Sequence, residues 1–276
     1  MNPAGNPEFY DTHAHLDYPE YAGDFAQVLA RAGEAGITRM ISIGTDLESS
    51  RRAVELSSQH SQIFACAGWH PSHAEMAPED LRPALRELAA NPRVVAIGET
   101  GLDYHHLPGA KPGGTVEADL AYKEHQARIF RQHLEVAAEF GLNCVIHQRD
   151  AFADTMTIMR ESAMAVRGVF HCFVGTVAEM KDVLDFGSLV SFTGILTFKN
   201  GANVRETLKA TPMDGFMLET DCPYLAPAPY RGKRCEPAYV KEIAATVAEV
   251  KGESLVRLSE ATCATARRFF SRPPPA

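Results

Sequence analysis

No apolar run in this 276-residue chain approaches the ~20 residues that a bilayer-spanning helix needs. The sequence therefore offers no candidate transmembrane helix. Positive charge is also scarce: 27 Lys and Arg stand against 35 Asp and Glu, a formal net charge of −8. That excludes a fold drawn to nucleic acid by a global positive field, although bound divalent cations can invert the sign locally. The six cysteines, at positions 66, 144, 172, 222, 235 and 263, form no Cys-x-x-Cys pair. In a chain of this size they read as reduced, buried thiols rather than a disulfide framework. The first six residues have neither a basic stretch nor an apolar core of the kind a secretory signal carries. A cytoplasmic protein is the expectation. Linkers of Gly, Ser and Pro character and internal repeats are lacking too, so a single domain is expected over residues 9–270. Residues 1–8 would be a disordered lead-in and 271–276 a tail.

What is present is a chain that can bury a large core. Hydrophobic residues make up 45% and charged residues 22%. Short apolar runs recur eight times: Phe9 to His15, Arg39 to Ile43, Ile63 to Ala67, Val94 to Gly98, Cys144 to His147, Gly168 to His171, Ser188 to Phe192 and Gly215 to Leu218. Helical patterns lie between them, at Ala22 to Ala35, Asp46 to Ser58, Asp80 to Ala90 and Tyr122 to Phe140, with Pro237 to Val250 and Ser254 to Phe269 at the end. The fourth of these patterns, Tyr122 to Phe140, is stopped by Gly141 in the manner of a helix C-terminus. Near-continuous apolar strands alternating with helices imply a parallel sheet, and eight such units imply an α/β protein of the (β/α)8 TIM-barrel class. An open doubly wound sheet is the alternative. The irregular stretch His105 to Ala118 reads either as a lid or as a tolerated insertion.

The chemistry of such a barrel sits where its strands end. Strand one ends in His13 and His15, which share a face because alternate side chains of a strand do. Later strand ends carry Trp69-His70-Pro71, Glu99 with Asp103, His147 with Arg149, His171, and Glu219 with Asp221. One such histidine would decide nothing. Ligand-type residues at five of the strand ends are hard to explain by packing, because charged groups are rarely buried unpaired. His13, His15, Glu99, His147, His171 and Asp221 make too large a set for one open catalytic ion and suit two, with a carboxylate bridging. Zn, Mn or Mg would fit. His70, Arg149, Asp103 and Trp69 are candidate substrate contacts. Asp103 has a competing role in orienting a ligand histidine or capping a turn, and Trp69 in packing beneath its loop. The basic run Arg231 to Arg234 is a further candidate for holding phosphate or a solvated surface.

These segments together resemble the TatD family of metal-dependent deoxyribonucleases, within the amidohydrolase-like barrels. The carrying motifs are Asp11-Thr12-His13-Ala14-His15-Leu16, Gly68-Trp69-His70-Pro71, Gly98 to Tyr104, Ile146-His147-Gln148-Arg149, His171-Cys172-Phe173 and Glu219 to Leu225, with a further match over Arg231 to Val240. The resemblance implies that the six residues named above are metal ligands. It also implies hydrolysis of DNA phosphodiesters from the 3′ end; a mechanism consistent with these residues uses metal-activated water, with Asp221 and Glu99 catalytic. Single-stranded DNA or 3′ ends would be the substrate, with no membrane and no obligate protein partner. Cys235 stands where the family usually has Asn, and Trp69 where it usually has an aliphatic residue. A small-molecule amidohydrolase or lactonase on the same barrel is the rival function.

Overall fold

Each apolar run of the sequence becomes a strand because its branched and aromatic side chains suit a surface buried on both faces. The strands are β1 (Phe9–Ala14), β2 (Ile37–Ile43), β3 (Ile63–Ala67), β4 (Val94–Asp103), β5 (Asn143–Arg149), β6 (Gly168–Phe170), β7 (Leu189–Phe192) and β8 (Phe216–Leu218) in a computed structural model. It describes residues 7–110, 112–162 and 166–272. The expected lead-in and tail fall largely outside the described residues. The strands form one sheet in the order β1 to β8, with each reported pair parallel. Sequential order is that of a (β/α)8 barrel; a doubly wound sheet reverses direction part-way.

Nine α-helices lie among the described residues: α1 (Phe25–Glu34), α2 (Leu47–Gln59), α3 (Arg82–Ala89), α4 (Val116–Phe140), α5 (Phe152–Glu161), α6 (Val177–Asp185), α7 (Ala202–Ala210), α8 (Val240–Lys251) and α9 (Leu255–Phe269). Helix α4 starts six residues before the apolar pattern does. Its N-terminus is set by Thr115, whose hydroxyl accepts from the Ala118 N–H at 3.1 Å, with Glu117 and Asp119 in the first turn. Gly141, at φ +62°, ends it. The stretch read as a loop over 105–118 is therefore shorter. Among its described residues is a 3-10 turn at Pro108–Ala110, tied to the helix by the Gly109 N–H donating to Asp119.

Contacts divide the chain into two units. The first comprises Met1–Ser42, Leu56–Phe64 and His171–Phe270. In it β1 pairs with β2, β7 pairs with β8, and Ala14 bridges Cys222, so the end of β1 meets the segment leaving β8. Its core includes the fully buried Tyr21, Met40, Phe192 and Phe216. The second unit comprises Ile43–Glu55, Ala65–Phe170 and Ser271–Ala276. It is built on β4 and β5, whose register pairs Gly101 with His147 and Asp103 with Arg149. Leu85, Ile97, Leu102, Phe130 and Phe170 are buried there. Gly101, at φ +135°, is required in this pairing: a Cβ would collide with the His147 carbonyl oxygen. All six cysteines are free, and all but Cys172 are buried.

Candidate metal centre

In the first unit, β1 delivers two imidazoles to the turn after β8. His13 is completely buried on β1, and His15 lies just past its end. The Asp221 N–H donates to the His13 carbonyl at 2.9 Å, and the His15 N–H to the Cys222 carbonyl at 2.8 Å. This locks the Asp221 backbone, at φ +60°, against the two histidines. Asp221 Oδ1 then stands 3.6 Å from His13 Nε2 and 3.3 Å from His15 Nε2. Burial works against the charge of Asp221, yet the hydrogen bond from His15 and the neighbouring His13 and His171 rings hold its carboxyl below the usual range. His171 stacks on His13 with centroids 4.0 Å apart.

Two further acids brace this group. Glu219 accepts from the Cys172 N–H and the Ser191 hydroxyl, each at 2.6 Å, and its Oε1 lies 3.6 Å from His171 Nδ1. Asp11, wholly buried, accepts from the Thr220 N–H at 2.9 Å and the Thr220 hydroxyl at 2.6 Å. Burial pushes the Asp11 carboxyl up to about 7 against the pull of those donors. It stitches β1 to the residues leading into Asp221.

In the second unit, Glu99 on β4 is the hub. Its Oε1 stands 3.2 Å from His70 Nε2 and 3.1 Å from His147 Nδ1, and those two nitrogens are 3.2 Å apart. His70 is aimed by the chain it begins: its Nδ1 accepts from the Ser72 N–H, capping a 3-10 turn. His147 is aimed by Asp103, whose Oδ2 lies 3.2 Å from His147 Nε2. Asp103 also accepts from the His105 and His106 N–H groups. Burial opposes its charge, but the hydrogen bonds from His147 and His106 hold its carboxyl far below the ordinary value. Gln126 of α4 pins the same residue, accepting from the Asp103 N–H and donating to its carbonyl.

Two of the expected substrate contacts are turned inward. Asp103 is 2% exposed and spends its oxygens on His147 and the following turn. Trp69 is 8% exposed, and its indole N–H donates to the His73 carbonyl, so its ring packs beneath the loop. The basic run after β8 is partly engaged as well. Arg234 reaches both Asp24 oxygens at 2.7 Å, while the Arg231 guanidinium lies 3.7 Å over Phe198. Arg149 is exposed at the last residue of β5.

Taken unit by unit, two sets of donors thus have the chemistry of a cation site. His13, His15 and Asp221 are one; His70, Glu99 and His147 are the other; each has its nitrogen and oxygen donors within 4.8 Å of one another. Imidazole with carboxylate, buried or half-buried and with neighbouring acids holding the rings, suits Zn or Mn. Sequence reasoning missed Gln126, His133 and the bracing part of Asp11. His133, buried on α4, accepts from the Trp69 N–H at 2.9 Å and donates from Nδ1 to the Ile129 carbonyl at 2.8 Å. Nothing near these residues in sequence signals such partners.

A family model described as TatD related DNase matches residues 10–271. The Bacillus subtilis protein named uncharacterized metal-dependent hydrolase YabD is 39% identical over 263 residues, 95% of this chain and 98% of that one. The Klebsiella pneumoniae protein named 3′-5′ ssDNA/RNA exonuclease TatD is 32% identical over 267 residues, 95% of this chain and 97% of that one. The solved structure of YJJV, a TatD homolog from Escherichia coli, shares the fold with a TM-score of 0.87 at 24% identity, covering 96% of this chain and 98% of that chain. The chain belongs to the TatD related DNase family.

Proposed function

We propose that this protein is a metal-dependent hydrolase that cleaves phosphodiester bonds of single-stranded DNA, releasing nucleotides from the 3′ end. The observation that carries the reading is the pair of donor sets, buried or half-buried, each uniting residues from distant parts of the chain within 4.8 Å. The name of the Klebsiella relative supports the substrate class.

His13, His15 and Asp221 would hold one divalent ion and Glu99 and His147 a second, with His171 adjoining the first set and His70 the second. Bound divalent ions supply Lewis acidity toward phosphoryl oxygens and a hydroxide near neutral pH. Asp221, kept ionised beside three imidazoles, accepts a proton from water at its carboxylate. Asp103 and Glu219 fix the His147 and His171 rings, so little reorganisation is left for the reacting state. Arg149, exposed at the end of β5, binds a phosphate of the strand.

The test is mononucleotide release from end-labelled single-stranded DNA and RNA with added Mg, Mn or Zn. Asp221→Asn should keep the fold and lose turnover by about 100-fold or more, the scale of a lost general base, and His13→Ala should be inactive. Near-wild-type turnover by Asp221→Asn would remove its assigned role. Hydrolysis of lactones or cyclic amides with no nucleotide released would replace the nuclease reading.

A further inference from the structure

Tyr224 is an aromatic ring that the fold places at the metal centre and leaves half in solvent. It is 51% exposed, so the core gains little from it. Its position is nonetheless fixed. The Tyr224 N–H donates to the Asp221 carbonyl at 3.0 Å, and Asp221 is itself tied to the His13 backbone. The ring meets two others edge-on: His15 at 6.2 Å and 68°, and Tyr18 at 6.3 Å and 83°. Tyr18 lies flat on His15, with centroids 4.8 Å apart and planes 23° from parallel. Tyr18 therefore covers the imidazole and props Tyr224, while Tyr224 keeps ring surface open to solvent. Edge-to-face support of this kind holds an aromatic ring without consuming it.

We propose that Tyr224, backed by Tyr18, is the platform on which the unpaired base of the 3′-terminal nucleotide stacks. The assignment rests on the phosphodiesterase reading of the His13, His15 and Asp221 group and adds to it a base-binding position. A nucleotide carries its base one sugar away from its phosphate. Tyr224 stands one ring contact from His15, so a phosphate engaged at the histidines leaves its base within reach of the tyrosine. Every nucleobase has a π-face, so such a platform tolerates any sequence. It also favours single strands, because a base paired and stacked in a duplex does not offer that face. Trp69, the other aromatic candidate at the strand ends, has its ring buried and its N–H engaged.

The test is binding with Mn present, read by fluorescence anisotropy with two single-stranded oligonucleotides of one length whose 3′-terminal linkages are phosphorothioates that slow turnover. One ends in a normal 3′ nucleotide and the other in a 3′ abasic residue. Wild type should bind the normal end about tenfold more tightly than the abasic one, within the span of a base–aromatic stack. Tyr224→Ala should lose that preference and match wild type on the abasic strand, and Tyr224→Phe should keep it. A Tyr224→Ala protein that retains the tenfold preference overturns the platform, as does a wild type that binds both ends alike. A wild type that discriminates the ends but releases no nucleotide with any metal overturns the hydrolytic reading and leaves the platform standing.

Discussion

His133 shows how one buried side chain can carry both structure and pH response. Its Nε2 accepts from the Trp69 N–H and its Nδ1 donates to the Ile129 carbonyl, an arrangement open only to the neutral ring. Burial pulls its pKa from 6.5 down to about 4. The folded state therefore binds this proton less readily than the unfolded chain. Its contribution is complete above pH 6.5 and is lost as pH falls from about 6.5 toward about 4, to a total of about 3 kcal/mol. Replacement by glutamine, which can also accept and donate, should flatten the stability profile across that window relative to wild type. Urea unfolding at a series of pH values measures it, and parallel profiles for the two proteins would refute the assignment. The proposed metal ligands were singled out because each is a ligand type at a strand end, while His70, read as a substrate contact, joins Glu99 and His147 in the fold. Their braces were not. Asp11 and Thr220 are 209 residues apart, and only folding reveals that one accepts from the other.

The strands and helices differ in how much they disclosed. All eight strands stand where the apolar runs are, because a strand buried on both faces needs unbroken hydrophobic sequence. The short helices α5, α6 and α7 were not legible. Helix α7 buries only Val204, Thr207 and Leu208, too few positions for a 3.6-residue stripe to stand out. Helix α6 announces itself instead by a capping box, Thr176 with Glu179. The extension of β4 to Asp103 was also missed, since Gly98 and Gly101 look like a turn. In the fold they are what lets β4 run on beside β5. Gly101→Ala would drive a methyl into the His147 carbonyl and require a backbone at φ +135° that alanine disfavours. The variant should lose about 2 kcal/mol or more of stability. It should also weaken metal binding through His147, seen by calorimetric titration with Zn; an unchanged titration would separate this glycine from the site.

At the scale of the whole molecule, the donor sets make folding and cation binding one equilibrium. Asp11, Glu219 and Asp221 lie buried or half-buried with His13, His15 and His171 in the first unit, and Glu99 and Asp103 with His70 and His147 in the second, concentrations of ionisable groups that hydrophobic burial alone does not favour. A divalent ion that binds the folded chain and not the unfolded one stabilises it by mass action, by about 2.7 kcal/mol at a hundredfold excess over Kd. For a chain of this length that corresponds to a rise of about 5 °C in Tm. Adding Zn or Mn to chelator-treated protein should produce that rise, and removing the ion should reverse it. His15→Ala should lose the part contributed by the first unit while keeping the part from the second. His70→Ala should show the opposite, so the two substitutions together should leave little shift. Scanning calorimetry of the four proteins, with and without metal, decides the matter: a full rise in the double variant would place the stabilising ion elsewhere on the molecule.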